Sequence, residues 1–374
     1  MTTLEPLPRT MRAAVMYAVD DIRIEERPLP ALEPGDVLLR MAACGVCGSD
    51  MMPWYVKKKA PFVFGHEPAG IVVAVANGAG ASGADDRVPR LGERVFPHHH
   101  VPCLRCDACA AGRYVHCATW RATFLDPGGM AEYVRIPQAN LADTLTIPAS
   151  LSFADGSLIE PLACVVKSLR RAFPLELRDG VVPADVPAEL PLRDRTLYVI
   201  GAGVTGLMHV ALASWLGATV IASDFNERRL AVARRLGAAA TVPADDALEG
   251  LRAATGGRFA DAVICGPGKA PALAHAVDAV RSDGTVIMFT PIAPEERFAF
   301  DQSPAYFRDL RLVASYSCGP DDTRESFRAI ERGIVNARLL EAREFAFPAV
   351  AEAFAAMAGA DVVKAIVTFG VREA

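Results

Sequence analysis

Residues 197–206 read LYVIGAGVTG, a short apolar run followed by a glycine-rich turn that leads into a second apolar segment. The order strand, G-x-G-x-x-G, helix is typical of a turn that holds the pyrophosphate of a dinucleotide. Gly201 permits the tight turn, Gly203 lets the backbone reach the pyrophosphate, and Gly206 lets the helix pack on the strand. The helix N terminus then faces the negative charge. This segment therefore predicts a dinucleotide-binding domain.

The residues after this turn indicate which dinucleotide binds. Val204 and Thr205 begin the helix and belong to the predicted cofactor site. Asp224 ends the next apolar run, where a carboxylate accepts hydrogen bonds from ribose hydroxyls and repels a 2′-phosphate, which favours NAD over NADP. Arg228 and Arg229 follow it. Such arginines ordinarily lie on a solvated helix face. We nevertheless retain Arg229 as a candidate cofactor-binding residue.

Apolar runs alternate with helical stretches along the chain from Leu197. This alternation predicts βαβ units on a parallel sheet, an α/β fold. Parallel strands are buried on both faces, which explains the uncharged segment from Thr196 to Ser223 without a membrane span. The elements are LYVIG, GLMHVALASWLGA, TVIASD, ERRLAVARRLGA, ADAVICG, PALAHAVDAVRSDG and GTVIMFT, then a strand-like LVASYS, a helical DTRESFRAIERGI and a final KAIVTF.

Short apolar runs broken by glycine and proline fill the segment from Arg12 to Ile136. Such runs predict a mostly β domain. Residues 77–91 and 174–195 are turn-rich and aperiodic, so we expect a surface loop and an interdomain connection there.

Length, composition and charge limit the classes of protein that fit. The chain has 374 residues, which at about 150 per domain gives two or three domains. Apolar residues make up 52% and charged residues 22%, which excludes a disordered chain, and a net charge of −5 disfavours nucleic acid and membrane surfaces as partners. Residues 1–12 lack the pattern of a secretory signal. We therefore expect a cytoplasmic protein whose nine cysteines are metal ligands or reduced thiols.

Four cysteines form a dense cluster with the spacing C-x2-C-x2-C-x7-C. Four thiolates in one short loop suit tetrahedral zinc, and a full set of cysteine ligands makes the site structural. An iron–sulfur cluster is the rival, but the bacterial ferredoxin pattern needs a last spacing of x3 followed by proline. The predicted zinc ligands are Cys103, Cys106, Cys109 and Cys117.

Two further segments, CGVCGSD (44–50) and GHEPAG (65–70), combine potential metal ligands with glycine turns. Cys47, His66 and a carboxylate would leave one coordination position free, as a catalytic zinc requires. The alternative interpretation makes Cys47 a buried thiol and His66 a core histidine.

Other cysteines and histidines have no predicted role in a site. Three consecutive histidines cannot all point at one ion, so we leave residues 98–100 unassigned. We expect the remaining cysteines to pack as small apolar residues; they are Cys44, Cys164, Cys265 and Cys318.

The order of these motifs resembles that in the zinc-dependent medium-chain alcohol dehydrogenases over nearly the whole chain. The motifs are GVCGSD, GHEPAG, the four-cysteine loop, GGMAEY (128–133), IEPLA (159–163) and GAGVTG. IEPLA resembles the polyol branch, the sorbitol and threonine dehydrogenases, in which a glutamate replaces a zinc cysteine. The resemblance implies a GroES-like catalytic domain over residues 1–164 and 314–374 and a Rossmann domain over 165–313.

The resemblance also implies roles for single residues. Cys47 and His66 are similar to catalytic-zinc ligands, and Glu67 to a ligand or its immediate neighbour. Glu160 corresponds to a fourth ligand, exchangeable or water-mediated. The carboxylate of Asp50 resembles one that orients the His66 ring.

The same resemblance implies how a proton leaves the alcohol. Ser49 is similar to the hydroxyl that takes it. Members of the family often carry a histidine where this chain has Met52, so we expect the relay to run through Ser49, a ribose hydroxyl or water.

Together these features predict an enzyme that transfers a hydride from a secondary alcohol, such as a polyol, sugar or cyclitol, to NAD. It would hold one catalytic and one structural zinc per chain. An amino alcohol such as threonine and a simple alcohol remain alternative substrates, and a non-catalytic zinc-stabilised NAD(H)-binding protein is the alternative from another class. The resemblance implies a homo-oligomer, a dimer or tetramer.

Overall fold

The glycine-rich segment quoted above forms a strand, a turn and a helix in the computed structural model, which describes residues 1–78, 88–185 and 189–371. Parts of the two predicted turn-rich segments, 79–87 and 186–188, lie outside the described residues. The chain divides into two compact units. Unit 1 is Met1–Pro161, Cys318–Phe327 and Ala342–Ala374, and unit 2 is Leu162–Ser317 and Arg328–Glu341.

The described strands are numbered in chain order. They are β1 (Thr2–Thr3), β2 (Thr10–Ala18), β3 (Asp21–Pro28), β4 (Val37–Gly45), β5 (Phe62–Val63), β6 (Glu67–Val75), β7 (Arg94–Pro97), β8 (Tyr133–Ile136), β9 (Thr144–Thr146), β10 (Thr196–Ile200), β11 (Thr219–Asp224), β12 (Ala240–Pro243), β13 (Ala260–Cys265), β14 (Val280–Met288), β15 (Arg311–Ala314), β16 (Arg343–Ala346) and β17 (Ala365–Thr368).

The described α-helices are numbered likewise, and short 3₁₀ segments also occur, among them Gly48–Met51 and Gln138–Asp143. The helices are α1 (Pro53–Val56), α2 (Asp107–Ala110), α3 (Ala118–Ala122), α4 (Phe153–Gly156), α5 (Ile159–Ala172), α6 (Val204–Trp215), α7 (Glu227–Arg235), α8 (Ala247–Thr255), α9 (Ala270–Ala279), α10 (Gln302–Phe307), α11 (Pro320–Glu331) and α12 (Val350–Ala358).

Unit 2 contains a six-stranded sheet in the order β12-β11-β10-β13-β14-β15, with every pair parallel. The strand order reverses beside β10, which is where ligands bind in open α/β sheets. The glycine turn after β10 lies at this place. The core between the sheet and its helices includes Tyr198, Ile221, Val263 and Val286. The predicted α/β architecture with a parallel sheet is confirmed.

Unit 1 is mostly β, as the broken apolar runs predicted. Its larger sheet follows the order β16-β17-β4-β6-β7-β9, with β1 paired to β6 and β8 paired to β4, and β3-β2-β5 form a smaller sheet. The centre of the larger sheet is antiparallel, and its register places Gly45 opposite Glu67 and Ile366 opposite Gly45. Strands β4, β6 and β17 therefore meet next to the two motifs that contain the predicted catalytic ligands Cys47 and His66.

Two element boundaries differ from the sequence expectations. The helix predicted over PALAHAVDAVRSDG ends at Ala279, because Val280 already pairs with Ala260 as the first residue of β14. The strand predicted over LVASYS ends at Ala314. None of the described helices has the length and apolar character needed to span a bilayer.

Candidate metal and cofactor sites

The four-cysteine loop brings its sulfur atoms together as the spacing predicted. The Sγ atoms of Cys103, Cys106, Cys109 and Cys117 all lie within 4.8 Å of one another. The Sγ atom of Cys109 is 3.5 Å from that of Cys106 and 4.0 Å from that of Cys103. Tetrahedral zinc with Zn–S bonds of about 2.3 Å separates its sulfurs by about 3.8 Å. The donor set therefore fits a closed zinc site.

A second group of potential ligands, here called the open cluster, consists of Cys47, His66 and Glu67. Their ligand atoms lie within 4.8 Å of one another, and the Cys47 and His66 side chains are only partly buried. Cys47 follows β4 and precedes the 3₁₀ segment Gly48–Met51, while His66 immediately precedes β6. The antiparallel pairing of β4 with β6 brings the two motifs together.

Ser49 and Asp50 lie beside the open cluster. The hydroxyl of Ser49 donates a hydrogen bond to Cys47 Sγ over 3.3 Å. The Oδ2 atom of Asp50 lies 3.6 Å from His66 Nδ1 and is buried without a hydrogen-bond partner among the described residues. Burial raises the pKa of Asp50. Burial lowers the pKa of His66, but the charges of Cys47 and Asp50 outweigh it and leave that pKa well above its usual value.

Glu67 is held by a lysine that sequence analysis did not find. The Lys364 ammonium is fully buried and donates to Glu67 Oε2 and, over 2.8 Å, to the carbonyl oxygen of Val46. A Cβ atom at Gly45 would lie 1.9 Å from Glu67 Oε2, so only glycine leaves room for this pair. The other oxygen, Oε1, is buried and has no hydrogen-bond partner among the described residues. A cation at the open cluster would satisfy it, so these residues fit a metal ion.

Glu160 belongs to a different group. It lies in the first turn of α5, and its carboxylate is within 4.8 Å of His98 and Cys318. We call His98, Glu160 and Cys318 the buried cluster, since at most 5% of any of the three is exposed. Burial, then the negative charge of Cys318, raises the pKa of Glu160 to about 8, and the charges of His66 and Glu67 also act on it. Glu160 thus belongs to the buried cluster and also feels the charges of the open one.

A network of buried polar groups positions His98. Its Nδ1–H donates to Asp143 Oδ2 over 2.7 Å, and the Thr323 hydroxyl donates to Asp143 Oδ1 over 2.7 Å. The Asn140 amide donates to the carbonyl oxygen of His98 over 2.9 Å. His98 Nε2 lies 3.5 Å from Cys318 Sγ. Cys318 is fully buried, as expected of a small packed residue, but its sulfur also contacts an imidazole nitrogen.

Of the three consecutive histidines, His99 lies beside the open cluster. Its ring centroid is 5.1 Å from that of His66, and its Nδ1 atom is buried without a hydrogen-bond partner among the described residues. Burial and then the neighbouring His100 hold the pKa of His99 well below its usual value, so its imidazole is neutral.

The glycine turn of unit 2 has the predicted geometry. Gly201 has a φ of +88°, in the left-handed region that favours glycine. A Cβ atom at Gly206 would lie 1.9 Å from the carbonyl oxygen of Gly201, whereas one at Gly203 would meet no described atom within 4 Å. Val204 and Thr205 are the first residues of α6. The turn therefore leaves open space at the helix N terminus, which fits a pyrophosphate.

Asp224 connects the end of β11 to this turn. Its Oδ2 accepts a hydrogen bond of 2.7 Å from the backbone N–H of Ala202, and its Oδ1 accepts one of 2.8 Å from Asn226. A guanidinium nitrogen of Arg229 lies 4.0 Å from Asp224 Oδ2. Arg228 is exposed, but Arg229 is half-buried, so the expected solvated helix face does not describe Arg229.

Comparisons with known proteins agree with this geometry. Residues 33–148 match the model of the alcohol dehydrogenase GroES-like domain, and residues 204–332 match that of the zinc-binding dehydrogenases. The first match contains the open cluster and the four-cysteine loop, and the second begins at the glycine turn.

Curated relatives and a solved structure resemble most of the chain. A sorbitol dehydrogenase of Bacillus subtilis is 32% identical over 74% of this chain and 74% of the relative. A D-altritol 5-dehydrogenase of Agrobacterium fabrum is 33% identical over 79% of this chain and 80% of the relative. A zinc-binding dehydrogenase of Sinorhizobium meliloti, solved with NADP, is 26% identical, with a TM-score of 0.79 over 96% of this chain and 99% of that one.

Proposed function

Because this chain belongs to the zinc-dependent alcohol dehydrogenases, in their polyol dehydrogenase branch, we propose that it oxidises a secondary hydroxyl of a polyol at the open cluster, with NAD as the hydride acceptor. The observation that carries the proposal is the cluster itself. Cysteine, histidine and carboxylate ligands converge there, with two of the three side chains partly exposed. Three protein ligands leave one position for substrate.

When bound, zinc supplies a Lewis acid that lowers the pKa of the substrate hydroxyl, and NAD supplies the acceptor of the hydride. Cys47 and His66 hold the metal. Asp50 Oδ2, 3.6 Å from His66 Nδ1, would orient the His66 ring once that ring binds the ion. Lys364 neutralises one oxygen of Glu67 and leaves the other for the ion.

Ser49 is the group placed to take the hydroxyl proton. It is partly exposed and its hydroxyl lies 3.3 Å from Cys47 Sγ, next to the ligand set. Because the position that often carries a histidine in this family holds Met52, Ser49 would pass the proton on to water.

The cofactor site in unit 2 supports NAD. Asp224 presents a carboxylate at the end of β11, where the adenosine ribose binds in this fold. A 2′-phosphate there would meet the charge of Asp224. Arg229 offsets part of this repulsion at 4.0 Å, so the preference for NAD over NADP is a matter of degree.

The substrate class follows from the relatives and from His99. Sorbitol and D-altritol, named in the relatives' activities, are open-chain polyols. A polyol presents hydroxyls on both sides of the reacting carbon, and each needs a hydrogen-bond partner once it leaves water. The half-buried imidazole of His99, next to His66, offers one such partner.

The appearance of NADH tests this proposal. Zinc-loaded protein is mixed with NAD and, in separate reactions, with sorbitol, other polyols, cyclitols, sugars, threonine and simple secondary alcohols. We expect turnover with polyols that is lost in Cys47→Ser while NADH binding is retained. Turnover with threonine or simple alcohols alone would overturn the substrate class, and binding of NADH without turnover of any compound would favour a non-catalytic protein.

We propose further that the enzyme is a homo-oligomer of two or four chains in the cytoplasm. Strand β15 ends the order of the unit 2 sheet, and exposed aromatic side chains lie close to it in sequence, at Tyr306, Phe307 and Tyr316. The nine cysteines all lie within the described residues and form no disulfide there, which favours a reducing compartment. Light scattering of purified protein gives the number of chains, and a monomer would contradict the first part.

A further inference from the structure

We propose that the buried cluster of His98, Glu160 and Cys318 is a further metal-binding site, for a divalent ion of intermediate softness such as Zn²⁺. This site is additional to the zinc positions expected at the open cluster and the four-cysteine loop, and it does not depend on the identity of the alcohol substrate. Its ligand atoms, an imidazole nitrogen, a carboxylate oxygen and a sulfur, lie within 4.8 Å of one another. These are the three types of ligand that proteins use for zinc.

The distance between two of these atoms fits a shared ion. His98 Nε2 and Cys318 Sγ are 3.5 Å apart. A tetrahedral zinc with a bond of about 2.3 Å to sulfur and about 2.05 Å to nitrogen holds these two ligands about 3.6 Å apart. The two side chains therefore need little movement to bind the same ion.

His98 is oriented as metal-binding histidines are. Its Nδ1–H is donated to Asp143, so in the neutral ring the lone pair is on Nε2, the atom that faces Cys318. Histidine ligands almost always give their other N–H to a carboxylate or carbonyl in this way. Asp143 is fixed in turn by the Thr323 hydroxyl, and Arg324 lies 3.8 Å from it. An aspartate also lies beside Nδ1 of His66 in the open cluster, at 3.6 Å.

The burial of this site distinguishes it from a catalytic site. His98 and Cys318 are 0% exposed and Glu160 is 5% exposed. A cysteine, a histidine and an aspartate in line also occur in cysteine hydrolases, but a nucleophile needs access to its substrate. A small ion needs only a narrow path from solvent to its ligands. The charges of the two negative ligands would balance that of one divalent ion, so the ion itself would bring no uncompensated charge into the interior, where such a charge is costly.

Glu160 links the new site to the open cluster. The charges of Cys318 and His98 act on its carboxylate, and so do those of His66 and Glu67. Glu160 is thus a ligand of the buried site that also neighbours the open one. A metal ion at the buried site would fix the position of Glu160 beside the catalytic ion.

The number of zinc ions per chain tests the proposal. Full-length protein is stripped with a chelator, reloaded in buffered Zn²⁺, desalted and measured by mass spectrometry of the metal. We expect three ions per chain in the wild type, one for each ligand group. Cys318→Ser should hold two. The matched control Cys265→Ser, which replaces a buried cysteine in unit 2, should hold three.

Reloading with Cd²⁺ gives an independent readout, because sulfur-to-cadmium charge-transfer absorbance counts bound thiolates. Cys318→Ser should lower this absorbance by one thiolate, and Cys47→Ser should do so separately, which distinguishes failure of this site from failure of the proposed catalytic site. Two ions in the wild type would overturn the proposal and leave a simple thiol–imidazole hydrogen bond. Equal ion content in Cys318→Ser and Cys265→Ser would overturn it as well.

A second variant serves if Cys318→Ser does not fold. Asp143→Asn keeps the volume of the side chain and changes only the group that orients His98. Loss of such a group weakens metal binding by about 10- to 100-fold. We expect that weakening for the third ion alone, with the other two unchanged. Unchanged affinity for the third ion would contradict the assignment of Asp143 as a positioning residue for a metal-bound His98.

Discussion

The open cluster and the buried cluster contain the same three types of ligand, and in each an aspartate lies beside the Nδ1 atom of the histidine. They differ in exposure. The His66 side chain is 21% exposed, whereas that of His98 is 0% exposed. A catalytic metal needs a free position that substrate can reach, while a site closed to solvent can only hold its ion. The proposed catalytic centre and the proposed binding site therefore differ in access and not in ligand type.

The two clusters also differ in how their carboxylates are held. Glu67 is paired with the buried Lys364, whereas Glu160 of the buried cluster carries a pKa raised to about 8, first by burial and then by Cys318. The open cluster thus has a built-in counter-charge for its carboxylate. An ion bound at the buried cluster would supply the counter-charge for Glu160.

Replacing one cysteine in each cluster should produce the largest difference in activity between two variants. Cys47→Ser removes a ligand from the metal on which turnover depends, and we expect kcat to fall by about ten-thousandfold, since metal activation contributes several kcal/mol and each 1.36 kcal/mol is a factor of ten. Cys318→Ser should keep turnover within about tenfold, equivalent to about 1.36 kcal/mol, because the ion that it loses lies outside the reaction centre. Steady-state rates of both zinc-loaded variants provide the measurement. Equal losses would remove the distinction between the clusters.

Breaking the buried ion pair of the open cluster should have the next largest effect. Lys364→Met leaves the carboxylate of Glu67 buried without its counter-charge, which costs about 3 to 5 kcal/mol of unfolding free energy. The double variant with Glu67→Gln should recover much of that loss. Denaturant unfolding of metal-free proteins gives the values. A single variant as stable as the wild type would show that the pair does not hold Glu67.

Replacing Asp50, the aspartate beside His66, tests whether the two clusters bind their ions independently. Asp50→Asn should lower zinc affinity at the open cluster by about 10- to 100-fold and leave the buried cluster unchanged. Competition with a zinc chelator measures each affinity. If Asp50→Asn also weakened the third ion, the two sites would not be independent.

The smallest expected effect concerns the substrate. His99→Phe keeps an aromatic ring next to His66 but removes a hydrogen-bonding nitrogen, which is worth about 0.5 to 1.5 kcal/mol. We expect KM for a polyol to rise by about two- to tenfold and KM for a simple secondary alcohol to stay the same. A parallel rise for both substrates would mean that His99 shapes the site without contacting the polyol.

The open cluster could be predicted from sequence because its ligands lie on two short motifs. Cys47 and His66 flank paired strands, and the glycine turns beside them mark the motifs. The same holds for the four-cysteine loop and for residues 201–206, where local spacing determines geometry. In these regions the chemistry is encoded within a few tens of residues.

The buried cluster could not be predicted in this way. Its cysteine and histidine are 220 positions apart, and only the fold brings them together. His98 was one of three consecutive histidines, with no local signal to distinguish it, and Cys318 stands alone in its segment. Lys364 was missed for the same reason, since its partner Glu67 is 297 positions away. Charge pairs and ligand sets assembled across distant strands leave no periodic pattern in the sequence.

The most direct test of the central claim, that chemistry takes place at the open cluster, is a crystal structure of the zinc-loaded enzyme with NADH and a polyol, recorded at the zinc absorption edge. We predict an anomalous peak bounded by Cys47, His66 and Glu67, with a polyol hydroxyl beside it. A peak at the buried cluster would have no polyol next to it. Absence of zinc at the open cluster, or a polyol bound away from it, would contradict the claim.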